Sequence, residues 1–423
     1  MAHGRRHETT ATDHLRIALI VGNLGRGGAE KQLVYMARAL RDAGADVRVY
    51  SLTRGGLYEP HLRDLGIVPR WIGWFGNPLL RLASLTAGIG RFRPHIVQSA
   101  HFFCNLYVGI YGRLCGALAI GAMRNELAFE RQACGRWTGP LLRVPSVIIA
   151  NSRAARRGVD GFGVRPDSIV ILDNAIDLND FDHRSSSGTV TWSAGGRPIA
   201  MAIGRMCPEK RFDRFLEALA RARHAAQELR GIIVGDGPEE PDLRRRAVDL
   251  GLLPNDVLFP GWRDDVPALL RQADMLVLSS DYEGFPNVIL EAMAARLPVI
   301  TTPAGDAGVV VEDGISGYVV PSDDIAMMAD RMVRLASSQE LRRELGAAGR
   351  RRVEQCYSFD GLAERLITAY ETVARRLDRP DVLAAIAGLR SALRQRPGGG
   401  RGPDSMMNAP SEVSTLQSHP RSL

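Results

Sequence analysis

Two cations and two carboxylates are the residues of this 423-residue chain whose types and spacing could do chemistry together. Only two of the 54 basic residues are lysines, Lys31 and Lys210. Lys210 lies in "GRMCPEKRFD", with Arg205 at the end of an apolar run and Lys210 just before a helical pattern. Both can reach one point above a strand end, as a diphosphate requires. A lysine here, in a chain that otherwise spells its cations as arginine, suits a narrow slot, because an ammonium is slimmer than a guanidinium fork. The carboxylates are Glu283 and Glu291 in "SSDYEGFPNVILEAMAARLPVI". Glu283 falls in a loop after a strand, and Glu291 inside the helix that follows. Gly284 permits close backbone approach, Pro286 fixes a turn, and the amides of Asn287 and Val288 sit at a helix N-terminus, where anions are favoured. A carboxylate is a natural acceptor for a vicinal diol. A diphosphate clamp plus two diol acceptors suits a nucleotide sugar. Helix-flanking charges on an ordinary surface are the competing account of the same residues.

A third stretch, "GNLGRGGAEKQL", places Gly22, Gly25, Gly27 and Gly28 between a strand and a helix, where backbone amides could receive a phosphate. The spacing is not G-x-G-x-x-G, and Glu30 in the first helical turn opposes a directly bound anion. A tight structural turn accounts for these glycines equally well.

The elements that must position these residues alternate. "LRIALIVGNL", "ADVRVYSL", "HIVQSA" and "VPSVIIANS" read as buried strands with helical patterns between them. The pattern restarts after the Ser/Gly/Thr-rich "HRSSSGTVTWSAGG", with strands "PIAMAIG", "LRGIIVGDG", "DVLFPG", "ADMLVLSS" and "LPVITTP". Strand–helix alternation predicts parallel sheets covered on both faces. Two such units in tandem predict an α/β protein of two doubly wound domains with a ligand cleft between them. The segment from "RQRPGGGRGP" onward is rich in Pro, Gly and Ser and reads as disordered.

Composition excludes several classes. No apolar run reaches membrane-spanning length, and "MAHGRRHETTATDH" lacks an apolar signal core, so the expectation is a cytoplasmic protein. The five cysteines have no paired short spacings, which argues against a disulfide framework or a zinc site. Between Arg63 and Arg165, fourteen arginines stand against four acids, with Trp71, Trp74 and Phe75 among them. Such a surface suits peripheral contact with an anionic membrane or a lipid-linked ligand, and is equally explained as solvated arginines. No nucleic-acid reading module is recognisable, and none is expected as a partner.

From about residue 15 to about 377 the chain resembles the family 4 retaining glycosyltransferases ("glycosyl transferases group 1"). The resemblance rests on E-x7-E in "EGFPNVILE", on Arg205 and Lys210, and on "VGDGPE", "FPGWRDDV", "LDNAIDLNDF", "EDGISGYVVP" and "GGAE". It implies the GT-B architecture, two Rossmann-like domains facing a cleft. The expected organisation is a disordered tail 1–13, an acceptor-binding domain 14–182, a linker 183–198 and a donor-binding domain 199–357. A helix 358–377 would pack back on the first domain, and 378–423 would be a largely disordered tail. The resemblance also implies roles. Arg205 and Lys210 would neutralise the donor diphosphate. Glu283 and the backbone of Gly284, Phe285, Pro286, Asn287 and Val288 would hold the sugar and distal phosphate. Glu291 would bind ribose, the turns at Gly235 and Arg263 would face the nucleotide, and Gly27 and Gly28 would approach the diphosphate on closure. His101 in "QSAHFFCN" matches the family's catalytic-side histidine.

The expected substrates are a UDP- or GDP-linked sugar and a glycan or lipid-linked acceptor, with no metal and no other cofactor; no D-x-D pair follows a strand. The chain departs from the family at Asn174–Ala175 and at "AGDAGVVVEDG", and Glu126 sits in an acceptor-side loop. A nucleotide-sugar 2-epimerase on the same architecture and an inactive membrane-docking protein are the alternatives.

Overall fold

The computed structural model describes residues 14–73, 78–187 and 196–394. Trp74 and Phe75, half of the expected linker (188–195), and both expected tails beyond residues 14 and 394 lie outside the described residues.

The first sheet has seven parallel strands: β1 (Arg16–Val21), β2 (Asp46–Ser51), β3 (Arg70–Trp71), β4 (Ile96–Ser99), β5 (Leu118–Met123), β6 (Val147–Ala150) and β7 (Ile169–Ile171). Their order is β3-β2-β1-β4-β5-β6-β7. The second sheet has six: β8 (Ile199–Ile203), β9 (Arg230–Val234), β10 (Val257–Gly261), β11 (Met275–Leu278), β12 (Val299–Thr301) and β13 (Gly317–Val319). Their order is β10-β9-β8-β11-β12-β13. The central strands are buried on both faces, as in β4 and β11, because helices cover each sheet twice; this is why they read as continuous apolar runs. Strand order reverses between β1 and β4 and between β8 and β11. These switch points open crevices at the carboxyl ends of the strands, where ligands of such sheets bind. The two edges face each other, giving the GT-B architecture.

Three expectations about boundaries are corrected. The helix Leu178–Ser187 packs on the second domain, with Phe181 in its core, so the chain crosses near Ile176 and not after residue 182. The same helix takes up the first residues of the expected linker. Residues Pro380–Arg394, expected within a disordered tail, form a helix. Val382, Ala385, Ile386 and Leu389 are buried in the first domain's core, and their spacing is that of one helix face. The preceding helix, Leu362–Arg376, lies in the same core through Leu366, Tyr370 and Val373. The two crossings between domains are stitched together, since Ile176 N–H donates to Tyr357 O and Phe359 N–H donates to Ile176 O.

Candidate active site

In the second domain the chain leaves β8 into Gly204 and the exposed Arg205, and the turn Pro208–Lys210 brings Lys210 back over Gly204. A Cβ on Gly204 would lie 3.8 Å from both Cδ and Cε of Lys210, so the lysine stem runs along the glycine. Lys210 Nζ donates to Glu283 Oε1 at 2.6 Å, and Ser280 Oγ donates to the same oxygen at 2.7 Å. Burial alone would lower the Lys210 pKa, but the Glu283 carboxylate outweighs it and the net direction is upward. Arg211 turns away, onto Asp213 and Asp281. No described residue pairs with the Arg205 guanidinium. Gly235, after β9, has φ +143°, and a Cβ there would lie 1.9 Å from Gly204 O. Only glycine lets that turn close on the strand end.

The helix Asn287–Ala294 begins after Pro286, and its N-terminus looks toward the first domain. Its first N–H groups have no partner within the helix and form an anion-favouring end. Phe285 is buried in the core, edge-on to Tyr357 at 5.4 Å between centroids, so only its backbone belongs to the site. Glu291, one turn into the helix, accepts from Lys31 Nζ of the first domain at 2.6 Å. Burial opposes the Lys31 charge, yet Glu291 raises its pKa overall.

The first domain contributes the ends of β1 and β4 and the helix Gly28–Ala43. His101 follows β4. Its Nδ1 accepts from the backbone N–H of Gly22 at 3.1 Å, which puts the ring proton on Nε2, 3.2 Å from Glu30 Oε1. Phe103 lies parallel to His101, with centroids 5.4 Å apart and planes 6° apart. Gly27 faces the Glu30 carboxylate, where a Cβ would lie 2.2 Å from Oε2. Gly28 faces the other domain, where a Cβ would lie 2.4 Å from Asn287 Nδ2.

The cleft is closed by several further contacts. Asn287 Oδ1 accepts from Asn174 Nδ2 at 2.8 Å and from Gln32 Nε2 at 3.1 Å. Gln32 also holds both backbone groups of Ala175, the residue that departs from the family's Asn–Gly. A Cβ on Gly284 would lie 1.8 Å from Arg124 O, so this glycine is needed for the approach of the two domains. Two carboxylates are exchanged between domains. Glu126 accepts from Gly305 N–H at 2.7 Å, and the buried Asp306 accepts from the N–H groups of Arg153 and Ala154 at 2.8–3.1 Å. Arg26 lies over the Trp262 ring at 4.1 Å and reaches Asp236 at 3.5 Å.

Arg205, Lys210, Glu283, the Gly284–Val288 backbone, Glu291, Gly27, Gly28 and His101 therefore border one cleft. Arg263 differs, because its guanidinium is forked onto Asp265 at 2.8 and 2.6 Å and its neighbour Trp262 meets the other domain instead. The sequence pattern gave no sign of Gln32, marked Asn174 and the stretch around Asp306 only as departures from the family without a role, and gave Lys31 no contact. Its one available signal was that Lys31 is the chain's only other lysine. Among the described residues no group of three or more His, Cys, Asp or Glu converges as a metal site, and no helix is long and apolar enough to cross a membrane.

The family model "Glycosyltransferase Family 4" matches residues 26–180, and "Glycosyl transferases group 1" matches residues 197–338. D-inositol 3-phosphate glycosyltransferase of Salinispora arenicola is 31% identical over 398 residues, covering 82% of this chain and 88% of that protein. The lipopolysaccharide core biosynthesis glycosyltransferase LpsE of Rhizobium meliloti is 31% identical over 170 residues, 40% of this chain and 48% of that protein. For several curated relatives, LpsE included, the match thus spans about half their length or less. The crystal structure of Anabaena HepE in complex with UDP and glucose superposes with a TM-score of 0.73 at 21% identity, covering 85% of this chain and 100% of that one. Two matched domain models and a relative aligned over most of its length agree with the motifs and the fold, and the chain belongs to glycosyltransferase family 4.

Proposed function

We propose that this protein transfers a hexosyl unit from a UDP- or GDP-linked sugar to an acceptor hydroxyl, with retention at the anomeric carbon and without a metal. The observation that carries this reading is the part-buried Lys210–Glu283 pair beside Arg205, which pairs with no described residue, at the β8/β11 switch point. Donor binding exchanges partners there. The diphosphate takes the Lys210 ammonium, and the sugar hydroxyls take the Glu283 carboxylate that it leaves. The bond between C1 and the phosphate oxygen breaks, and Arg205, Lys210 and the N-terminus of the helix Asn287–Ala294 stabilise the charge that develops on the leaving group. The acceptor oxygen bonds to C1 on the same face, and its proton passes to the departing phosphate oxygen. Glu291 accepts from the ribose through its second oxygen, with Lys31 still on Oε1, and the Nε2–H of His101 is positioned to donate to the sugar. The closed junction excludes water from the transferred group.

A thermal-shift panel of UDP- and GDP-sugars, followed by NMR of the anomeric product, tests this reading. The expected result is stabilisation by one nucleotide class and a product with the donor's anomeric configuration. Inversion would overturn the retaining mechanism, and no response to any nucleotide sugar would overturn the function. A place in bacterial surface polysaccharide or glycolipid assembly is consistent with the name of LpsE. Peripheral membrane contact by the first domain is part of the same proposal, supported by the half-exposed Trp137 beside Arg136. Binding to phosphatidylglycerol vesicles should fall as salt rises; binding that is absent or indifferent to salt would remove it.

A further inference from the structure

Phe103 has no part in the transfer derived above, and its placement is unusual for an apolar side chain. It is 46% exposed, whereas its neighbours Phe102 and Cys104 are buried. The short turn Phe102–Cys104 that carries it follows β4, and the ring reaches across to the end of β1. A Cβ on Gly22 would lie 2.2 Å from Phe103 Cζ and 2.7 Å from Cε2, so the ring tip rests on the glycine backbone. The ring therefore covers the crevice at the first sheet's switch point, where a ligand of that domain is expected. Its orientation is fixed by the parallel stack with His101, and His101 is itself held by Gly22 N–H and Glu30.

We infer that Phe103 is the platform on which the sugar ring of a carbohydrate acceptor stacks, an inference that rests on the transferase reading of the cleft. A pyranose has one face of axial C–H groups and a rim of hydroxyls. The negative face of an aromatic ring attracts the first, and fixed polar groups satisfy the second. Phe103 offers such a flat face; His101, stacked on it, pairs with Glu30 in the first turn of the helix Gly28–Ala43, and Asn23 lies in the loop after β1. An acyl chain would call for a continuous apolar trough, which this polar surround does not offer. Glycine at position 22 is explained as well, because any side chain there would lift the ring off the crevice.

The test uses saturation-transfer NMR on the full chain with methyl glucosides, galactosides and mannosides, each mixed with the nucleotide sugar found by thermal shift. Wild type should saturate the axial hydrogens of one pyranoside face. Phe103→Leu, which keeps apolar bulk but loses the π face, should reduce that signal roughly fivefold to tenfold, and Phe103→Trp should retain it. The position is half-exposed, and an unchanged melting curve shows that the variants fold. Equal signals from Phe103→Leu and wild type would overturn the platform, as would a complete lack of pyranoside contact. With octyl glucoside, saturation of the alkyl chain and none of the sugar would also overturn it, replacing a sugar with a lipid. The base protons of the nucleotide sugar report separately on the donor site. Their loss would strike the transferase reading, and their persistence without pyranoside contact would strike the platform alone.

Discussion

The chain's two lysines form two lysine–glutamate pairs of the same 2.6 Å length and similar burial, yet the pairs do different work. Lys210–Glu283 lies within the second domain, between two loops of one sheet edge. Lys31–Glu291 joins the first domain to the second, between the opening turns of two helices that face each other. The first pair lies within one domain and does not depend on a closed cleft; in the proposed mechanism it holds a cation ready for the diphosphate. The second can exist only while the cleft is closed. Matching geometry thus gives a charge reservoir in one place and a latch in the other, and the topology around each pair decides which.

Removing Lys210 gives the largest effect. Lys210→Ala should lower kcat on the order of 100- to 1,000-fold, as expected when one preorganised donor to a developing anion is lost. It leaves Glu283 buried with Ser280 as its remaining donor among the described residues, so the melting temperature should fall as well, and activity per folded molecule is the readout. Near-normal kcat would remove Lys210 from the mechanism. Lys210→Arg sharpens the point, since the stem lies along Gly204 and a planar fork should not fit; activity close to wild type would sink the narrow-slot account.

Much of this was legible in the sequence, for local reasons. Apolar runs announced β1, β4, β8 and β11, and the spacing of Glu283 and Glu291 announced a loop and helix carrying two carboxylates. Other features were hidden for physical reasons. β5 is written "LAIGAM", short on β-branched residues and interrupted by Gly121, where a Cβ would lie 2.8 Å from Pro145 Cγ. β3 and β7 have two and three residues, too few for a period to show. The helix Pro380–Arg394 carried its apolar face in plain view, but the Pro/Gly/Ser-rich composition that follows it was extended back over it. The latch residues are a different matter. Lys31 and Glu291 are 260 positions apart, and no spacing rule reports a pairing made by the approach of two domains.

A buried carboxylate with no cation beside it among the described residues is the control for both pairs. Glu130, in the helix Leu127–Cys134 that follows β5, has Asn125 as a neighbour at 3.5 Å and no cation within ion-pair distance among the described residues. Burial pushes its pKa up to about 7, with the Asn125 amide offsetting part of the rise. The folded state therefore binds this proton more tightly than the unfolded chain, whose value is near 4.5. Stability should fall as pH rises from about 4.5 to about 7 and level off above, by on the order of 3 kcal/mol at most. Glu130→Gln should abolish that slope, so that denaturant midpoints of the variant and wild type agree near pH 4.5 and separate above pH 7. Parallel curves across this range would show that Glu130 is solvated and is no control.

The smallest effect belongs to the latch. Lys31→Met removes one of several cross-domain contacts and leaves Asp306 with Arg153, Glu126 with Gly305, and Asn174 with Asn287 in place. The closed state should lose about 1 kcal/mol or slightly more, in the range of a coupled pair. Closure assembles the donor site but does not alter the charge on the leaving diphosphate. Lys31→Met should therefore raise the donor KM about fivefold to tenfold with kcat within about twofold, whereas Lys210→Ala acts on kcat. Because the Lys31 pKa lies above that of a free lysine, the latch is fully present below about pH 10, so the effect should be flat across neutral pH. The double variant Lys31→Met/Glu291→Gln completes a cycle in donor binding. A coupling near zero would mean that the pair adds nothing to closure, and a fall in kcat matching that of Lys210→Ala would mean that both lysines serve the diphosphate and that the contrast between the two pairs is false.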